Sequence, residues 1–226
     1  MPSHRWITFD CFGTLVDWHT GFANILRPLA GERVAELISA YHRYERPLEQ
    51  ERPHRLYADV LREGVARAAR EIGLAVAPAA LDALPANWGT QPVFADVEPT
   101  LAELRAAGWK IAVLTNCDRA LFAQTQRGFR QPFDLVVTAE DVKDYKPSLA
   151  HFRHFWRMSG VERDNWIHAA CSFYHDIGPA REMSIARIWV DRDRTGEDPA
   201  AATLRIENLA ALPAAVSSLN AGSSAR

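Results

Sequence analysis

The sequence is short of several things, and each shortage excludes something. Only three of its 226 residues are cysteine. An odd trio, Cys11, Cys117 and Cys171, gives no disulfide framework, which points to a reducing compartment, in the simplest case the cytoplasm. There is no basic excess either: 26 Lys and Arg face 28 Asp and Glu, a formal net charge of −2. That argues against nucleic acid as a partner, because a broad footprint needs cations to displace counterions. It leaves room for a small anionic substrate, which needs only one local cation. No apolar run approaches the ~20 residues of a membrane helix. Met1-Pro2-Ser3-His4-Arg5 leads into no apolar stretch of signal-peptide length. No membrane partner and no removable leader are therefore expected. No internal repeat is visible. What is present is an ordinary globular balance, 48% hydrophobic and 24% charged. The chain is long enough for one domain, or one domain with a sizeable insertion.

The hydrophobic pattern divides the chain. Trp6-Ile7-Thr8-Phe9 is a short apolar run that ends at Asp10 and is broken by Gly13 and Thr14, which reads as a buried strand feeding a polar loop. Helical periodicity follows. Val34, Leu37, Ile38, Tyr41, Tyr44 and Leu48 share one face, with Pro47 and Pro53 expected to punctuate the end. Tyr57, Val60, Leu61, Val65, Ala68 and Ile72 share another, stopped by Gly73. A weaker third helix is expected over 78–84, and no strand between 17 and 91. After Pro92, strands at 110–114, 134–137, 167–171 and 187–190 alternate with helical stretches, as in βαβ units with a parallel sheet. The small, polar tail from Ala214 is expected to be frayed. The pattern predicts an α/β fold, a doubly wound Rossmann-like parallel sheet over 1–16 and 92–226, interrupted by an all-helical cap over 17–91.

In open parallel sheets, ligands lie beyond the carboxyl ends of the strands. The polar residues just past those ends are Asp10, Thr14, Thr115, Asn116, Ser172 and Asp176, with Lys146 further along in Asp144-Tyr145-Lys146-Pro147. They should converge on one crevice under the cap. Taken singly, each has an ordinary reading. Asp10 can be a loop carboxylate or a helix cap, Thr115-Asn116 a turn, Lys146 a solvated lysine, Asp176 a helix start. Their joint placement at strand ends argues otherwise.

Four stretches in this order resemble the motifs of the haloacid dehalogenase superfamily: Phe9-Asp10-Cys11-Phe12-Gly13-Thr14, Leu114-Thr115-Asn116, Tyr145-Lys146-Pro147 and Ser172-Phe173-Tyr174-His175-Asp176. The helical insertion sits where that superfamily carries its cap. The resemblance implies that Asp10 is a nucleophile. Most members are phosphatases, whose second Asp, two residues after the nucleophile, protonates a basic leaving alkoxide. Here that residue is Phe12, which cannot donate a proton. The phosphatases also hold Mg²⁺ with an Asp five residues before the last acidic one. Here that residue is Cys171, and a neutral thiol is a poor ligand for a hard cation. Halide leaves without a proton. Both departures resemble the L-2-haloacid dehalogenase branch, which implies no metal and no other cofactor.

The roles implied are these. Asp10 attacks carbon 2 of a small 2-haloacid and expels halide; water then hydrolyses the ester to a 2-hydroxy acid. Lys146 keeps Asp10 ionised, and Asp176 orients or activates the water. Thr14, Thr115 and Asn116 hold the substrate carboxylate or stabilise charge on the ester. Phe12 and Trp18 offer apolar surface, and Ser172 and His175 complete the binding wall. Arg43 is the first candidate for the halide cradle and Arg46 the second. His175 reads either as a water-activating base or as a structural histidine on a backbone carbonyl. Departures from the dehalogenases are Phe152 for a Tyr, Phe173 for an Asn and Cys171 for a Ser. Alternative readings are a hydrolase of the same fold acting on another ester or phosphate, and a non-catalytic binding protein on that scaffold. The resemblance implies a homodimer through surface helices.

Overall fold

The computed structural model describes residues 4–223. Strand β1 (Trp6–Phe9) is followed by an all-helical stretch: α1 (Trp18–Ala30), α2 (Val34–Glu49), α3 (Tyr57–Glu71) and the short α4 (Ala83–Ala86). The chain then alternates: α5 (Val97–Ala106), β2 (Lys110–Thr115), α6 (Arg119–Gln126), β3 (Leu135–Thr138), α7 (Ala139–Val142), α8 (Ala150–Ser159) and β4 (Trp166–Ala170). A π-helical turn, Phe173–Ile177, runs into α9 (Gly178–Glu182), followed by β5 (Ala186–Val190), β6 (Leu204–Ile206) and α10 (Leu212–Ser223). No helix among the described residues is long and apolar enough to cross a membrane.

The six strands form one parallel sheet in the order β3-β2-β1-β4-β5-β6. Its central strands are buried on both faces, which is why they read as continuous apolar runs. Alternate side chains serve opposite layers. Ile7, Phe9, Ile111 and Val113 join one core cluster with Leu101, Leu104 and Leu212. Trp6, Ala112, Leu114 and Trp166 join the other with Phe152 and Phe155. The chain order reverses beside β1: β2 and β3 build outward on one side, and β4 starts the other. This places the crevice of a doubly wound fold at the carboxyl end of β1.

The helical cap is tied to the core at a few defined points. Asp118 of the core accepts the N–H groups of Tyr57 and Ala58, both at 2.7 Å, and so caps the N-terminus of α3 from another layer. The Tyr145 hydroxyl donates to the Arg55 carbonyl at 2.7 Å, and Arg52 pairs with Asp144 at 2.8 Å. Within the cap, α2 and α3 pack so closely at Gly64 that a Cβ there would lie 2.7 Å from the Tyr41 ring.

Several expectations are corrected. Pro47 lies inside α2, in its last turn, and does not end it. The helix expected over 78–84 is a 3₁₀ turn over Pro78–Asp82 followed by α4. Helix α1 is a further element: Trp18, Phe22, Ile25, Leu26 and Leu29 recur along one face at helical spacing, with Pro28 interrupting the pattern near its end, and Asp17 caps it by accepting from Thr20 N. Strand β6 was missed, being three residues long at the sheet edge. The tail continues as helix to Ser223, so the fraying expected from Ala214 is not found there. Residues 224–226 of that expectation lie outside the described residues, as do Met1, Pro2 and Ser3.

Candidate active site

The crevice is a cavity of about 560 Å³ between cap and sheet. Asp10, Thr115, Asn116, Lys146, Cys171, Ser172, His175 and Asp176 line it from the core. Phe12, Trp18, Phe22, His42, Glu45, Arg46, Glu49, Tyr57 and Trp88 line it from the loop after β1 and from the cap. Of the strand-end residues expected to converge, all but Thr14 line the cavity, and Thr14 bonds Asp10.

At its centre lies Lys146, 2% exposed. An ammonium has three protons, and all three are used: Asp10 Oδ1 at 2.8 Å, Asp176 Oδ1 at 2.7 Å and the Leu114 carbonyl at 2.9 Å. Burial alone would strip the proton from Lys146, but the charges of Asp10 and Asp176 outweigh it and raise its pKa. The two carboxylates differ. Burial and the nearby Asp176 raise Asp10, against the pull of Lys146 and the Thr14 hydroxyl. Asp176 is also buried, yet Lys146 and His168 hold it down at about 2, so it is an anion throughout the neutral range. Its Oδ2 is buried without a hydrogen-bond partner, the one polar atom of the trio left unsatisfied.

Thr14 sets the other side of Asp10. Its hydroxyl accepts the Cys171 N–H at 2.8 Å and donates to Asp10 Oδ2 at 2.9 Å, so its direction is fixed. The turn depends on Gly13, whose φ is +90° and where a Cβ would stand 2.6 Å from Cys171 Sγ.

Asn116 is a brace. Its side chain accepts from Lys146 N at 2.7 Å and donates to Lys146 O at 3.2 Å, gripping the lysine's backbone on both sides. Thr115 is fully buried and bonded locally to Cys117. Both stand at the cavity wall with much of their bonding capacity already committed. The Ser172 hydroxyl accepts from His175 N at 3.1 Å and lies 2.9 Å from His175 Nδ1. The partner of the His175 ring is thus a hydroxyl and not the backbone carbonyl expected, and burial pushes this imidazole down to about 4, so it is neutral near pH 7.

Arg43 is a correction. It is exposed, points away from the cavity, and bonds the Ser39 carbonyl and Glu71. Arg46, the second candidate, lines the cavity mouth with its guanidinium over the Tyr174 ring at 4.6 Å. Trp18 does supply apolar surface: it meets Phe22 and His42 edge-on, while Phe12 packs on Trp88 at 4.8 Å.

Sequence reasoning missed three features. One is His168, bonded to Asp176 at 3.1 Å. The others are Glu45 and Glu49, four apart on α2 and facing the cavity. Glu45 accepts from Tyr57, Tyr41 and His42, which hold it ionised in spite of its burial. Burial and the Glu45 charge push Glu49 well above the usual carboxylate range.

The donor set does not suit Mg²⁺, the metal of the superfamily's phosphatases. Cys171 is a thiol whose pKa burial raises, and the inner oxygens of Asp10 and Asp176 are already bridged by an ammonium. No cluster of three or more His, Cys, Asp or Glu side chains able to hold a metal occurs among the described residues.

An α/β fold with a carboxylate, a buried lysine and a second carboxylate at the sheet switch point points to a hydrolase. The family model for haloacid dehalogenase-like hydrolases matches residues 4–168, and the chain belongs to that family. It is 25% identical over 200 residues, 85% of each chain, to (S)-2-haloacid dehalogenase 4A of Burkholderia cepacia. It is also 31% identical over 121 residues, 52% of this chain and 49% of the other, to a phosphoserine phosphatase of Thermus thermophilus. A haloacid dehalogenase-like hydrolase domain-containing protein 3 of Danio rerio matches at 30% over 109 residues, 48% of this chain and 44% of the other. The chain spans about half the length of these last two curated relatives. Among solved structures, L-2-haloacid dehalogenase from Xanthobacter autotrophicus superposes with a TM-score of 0.83 at 18% identity, covering 94% of this chain and 98% of the other. A defluorinating L-2-haloacid dehalogenase superposes at 0.78 and 22%, covering 94% and 96%. At such identities the likeness is one of fold.

Proposed function

We propose that this protein hydrolyses the carbon–halogen bond of a small 2-haloacid through an ester on Asp10, without a metal. The observation that carries the reading is the buried Lys146 between Asp10 and Asp176, beside a loop whose residue 12 is phenylalanine. Such a centre can hold a nucleophilic carboxylate ionised in a nearly dry site, and it lacks the neighbouring acid that an alkoxide leaving group requires.

In the first step an Asp10 oxygen attacks carbon 2, and the halide departs as a weak base into the aromatic wall of Phe12, Trp18 and Trp88. Whichever oxygen attacks, the other retains a donor, Thr14 or Lys146, against the charge that builds when water later adds to the ester carbonyl. Asp176, anionic and with Oδ2 unpartnered, is the group for that water. The substrate carboxylate needs a cation. Lys146 has no proton to spare, so Arg46 at the mouth is the residue for it.

The test is halide release from L-2-chloropropionate in the presence of EDTA, combined with a single turnover in heavy-oxygen water. One heavy oxygen should enter Asp10. Magnesium-dependent phosphate release with no halide would instead assign the chain to phosphate-ester chemistry.

A further inference from the structure

We propose that His168 is a positioning residue for Asp176 and sets the rate of the water step; the proposal rests on the reading of Asp10 as an ester-forming nucleophile. Strand register pairs Thr8 of β1 with His168 of β4, and both are fully buried. They form a chain of hydrogen bonds whose direction can be worked out from one end. The Trp166 indole can only donate, and it does so to Thr8 Oγ1 at 2.8 Å. The Thr8 hydroxyl must then send its own proton elsewhere. His168 Nδ1 lies at 2.9 Å, and the other acceptor, the Ile167 carbonyl, at 3.4 Å. With Nδ1 accepting, the ring proton sits on Nε2, which donates to Asp176 Oδ1 at 3.1 Å. Phe152 closes the edge of the imidazole, its ring 4.9 Å away, and keeps water from competing.

The consequence lies in the carboxylate. Asp176 Oδ1 receives Lys146 and His168 from two directions, while Oδ2 receives nothing. Two donors on one oxygen fix the plane of the group. With Lys146 alone, the carboxylate could turn about its Cβ–Cγ bond and offer either oxygen to the ammonium. His168 prevents that turn and keeps Oδ2 as the free base. In the water step, oxygen bonds to Cγ of Asp10 as a water proton passes to Asp176 Oδ2. The bond from Cγ to the substrate oxygen then breaks. One water proton ends on the product hydroxyl, the other leaves to solvent, and both aspartates are again carboxylates. Forming the ester needs no base at Oδ2, so the device acts on the second half of the reaction.

The experiment follows ester on the Asp10 peptide by mass spectrometry after rapid mixing with L-2-chloropropionate, with halide release measured in parallel. Wild type, Asp176→Asn, Thr8→Val, Thr8→Ser and His168→Leu are compared. His168→Leu should slow ester hydrolysis roughly tenfold or more, the effect of losing a hydrogen bond to a charged group, and Thr8→Val, which removes a neutral bond, should slow it roughly three- to tenfold; both should accumulate ester. Ester formation should stay near wild type, and Thr8→Ser should restore hydrolysis. Equal slowing of both steps, or of neither, overturns the proposal. Asp176→Asn separates the two levels. If it traps ester while Thr8→Val and His168→Leu do not, the role of His168 fails alone. If neither wild type nor Asp176→Asn forms ester or releases halide, the reading of Asp10 fails. Should His168→Leu not fold, Thr8→Val, with the histidine intact, carries the test.

Discussion

Replacing Lys146 with methionine probes the centre most directly. The side chain is about the right length and apolar, so the space stays filled while the charge and three donors go. Asp10 and Asp176 then face each other in a buried site with one side-chain donor apiece, Thr14 and His168. Removing one partner from a buried ionic cluster destabilises by about 3–5 kcal/mol. For a chain of this length that lowers the melting temperature on the order of 10 °C. Adding Asp176→Asn should return a good part of the loss, because only one buried carboxylate remains. Catalysis should not return, since Asp10 has lost the cation that keeps it ionised. The acid limb gives an independent check. Asp176 is held at about 2 in the fold. A carboxyl lowered on folding contributes stability in full above its unfolded value near ~4, and that contribution is lost as pH falls toward the folded value. The gap between wild type and Lys146→Met should therefore be widest near neutrality and narrow below pH ~4. Melts from pH 2 to 8, with halide release at pH 7, make the measurement. A variant that melts within a degree or two of wild type and still turns over would refute the reasoning.

Two further predictions concern the cap. Arg46→Ala should raise KM for a haloacid roughly tenfold with a smaller change in kcat, while Arg43→Ala, an exposed surface pair, should leave steady-state kinetics within about twofold. Glu49 is protonated below its raised pKa and becomes an anion above it, so KM for an anionic substrate should climb on the alkaline side. Glu49→Gln should remove that climb, lowering KM roughly three- to tenfold at high pH, whereas KM for 2-chloropropionamide, a neutral analogue, should show no such dependence in either protein.

Much of this is legible in the sequence. Buried parallel strands are runs of apolar residues, and each of the first five ends at or just before a polar cluster or turn, so the crevice followed from the positions of Asp10, Asn116, Lys146 and Asp176. What failed did so for identifiable reasons. Successive helix residues turn by about 100°. His42, Glu45, Arg46 and Glu49 thus share a face of α2 and Arg43 lies off it, so of the two candidate arginines only Arg46 reaches the cavity. The same periodicity would have flagged the two glutamates. His168 was hidden inside an apolar strand, but its two-residue offset from Trp166 matches that of Thr8 from Trp6, which places both polar side chains on one sheet face. Strand β6, with Arg205 at its centre, carries no apolar run at all.

The position of β1 also governs the order in which the molecule can assemble. Trp6 lies beside Lys110 on one side and Trp166 on the other. As the chain leaves the ribosome, α2 and α3 can pair through neighbouring sequence while the central strand still has no neighbour. Asp10 meets its ammonium only after 136 more residues have been made. Such long-range closure slows folding. It also means that a truncated nascent chain holds Asp10 without the ammonium it pairs with in the fold, so the proposed chemistry has to wait for that closure.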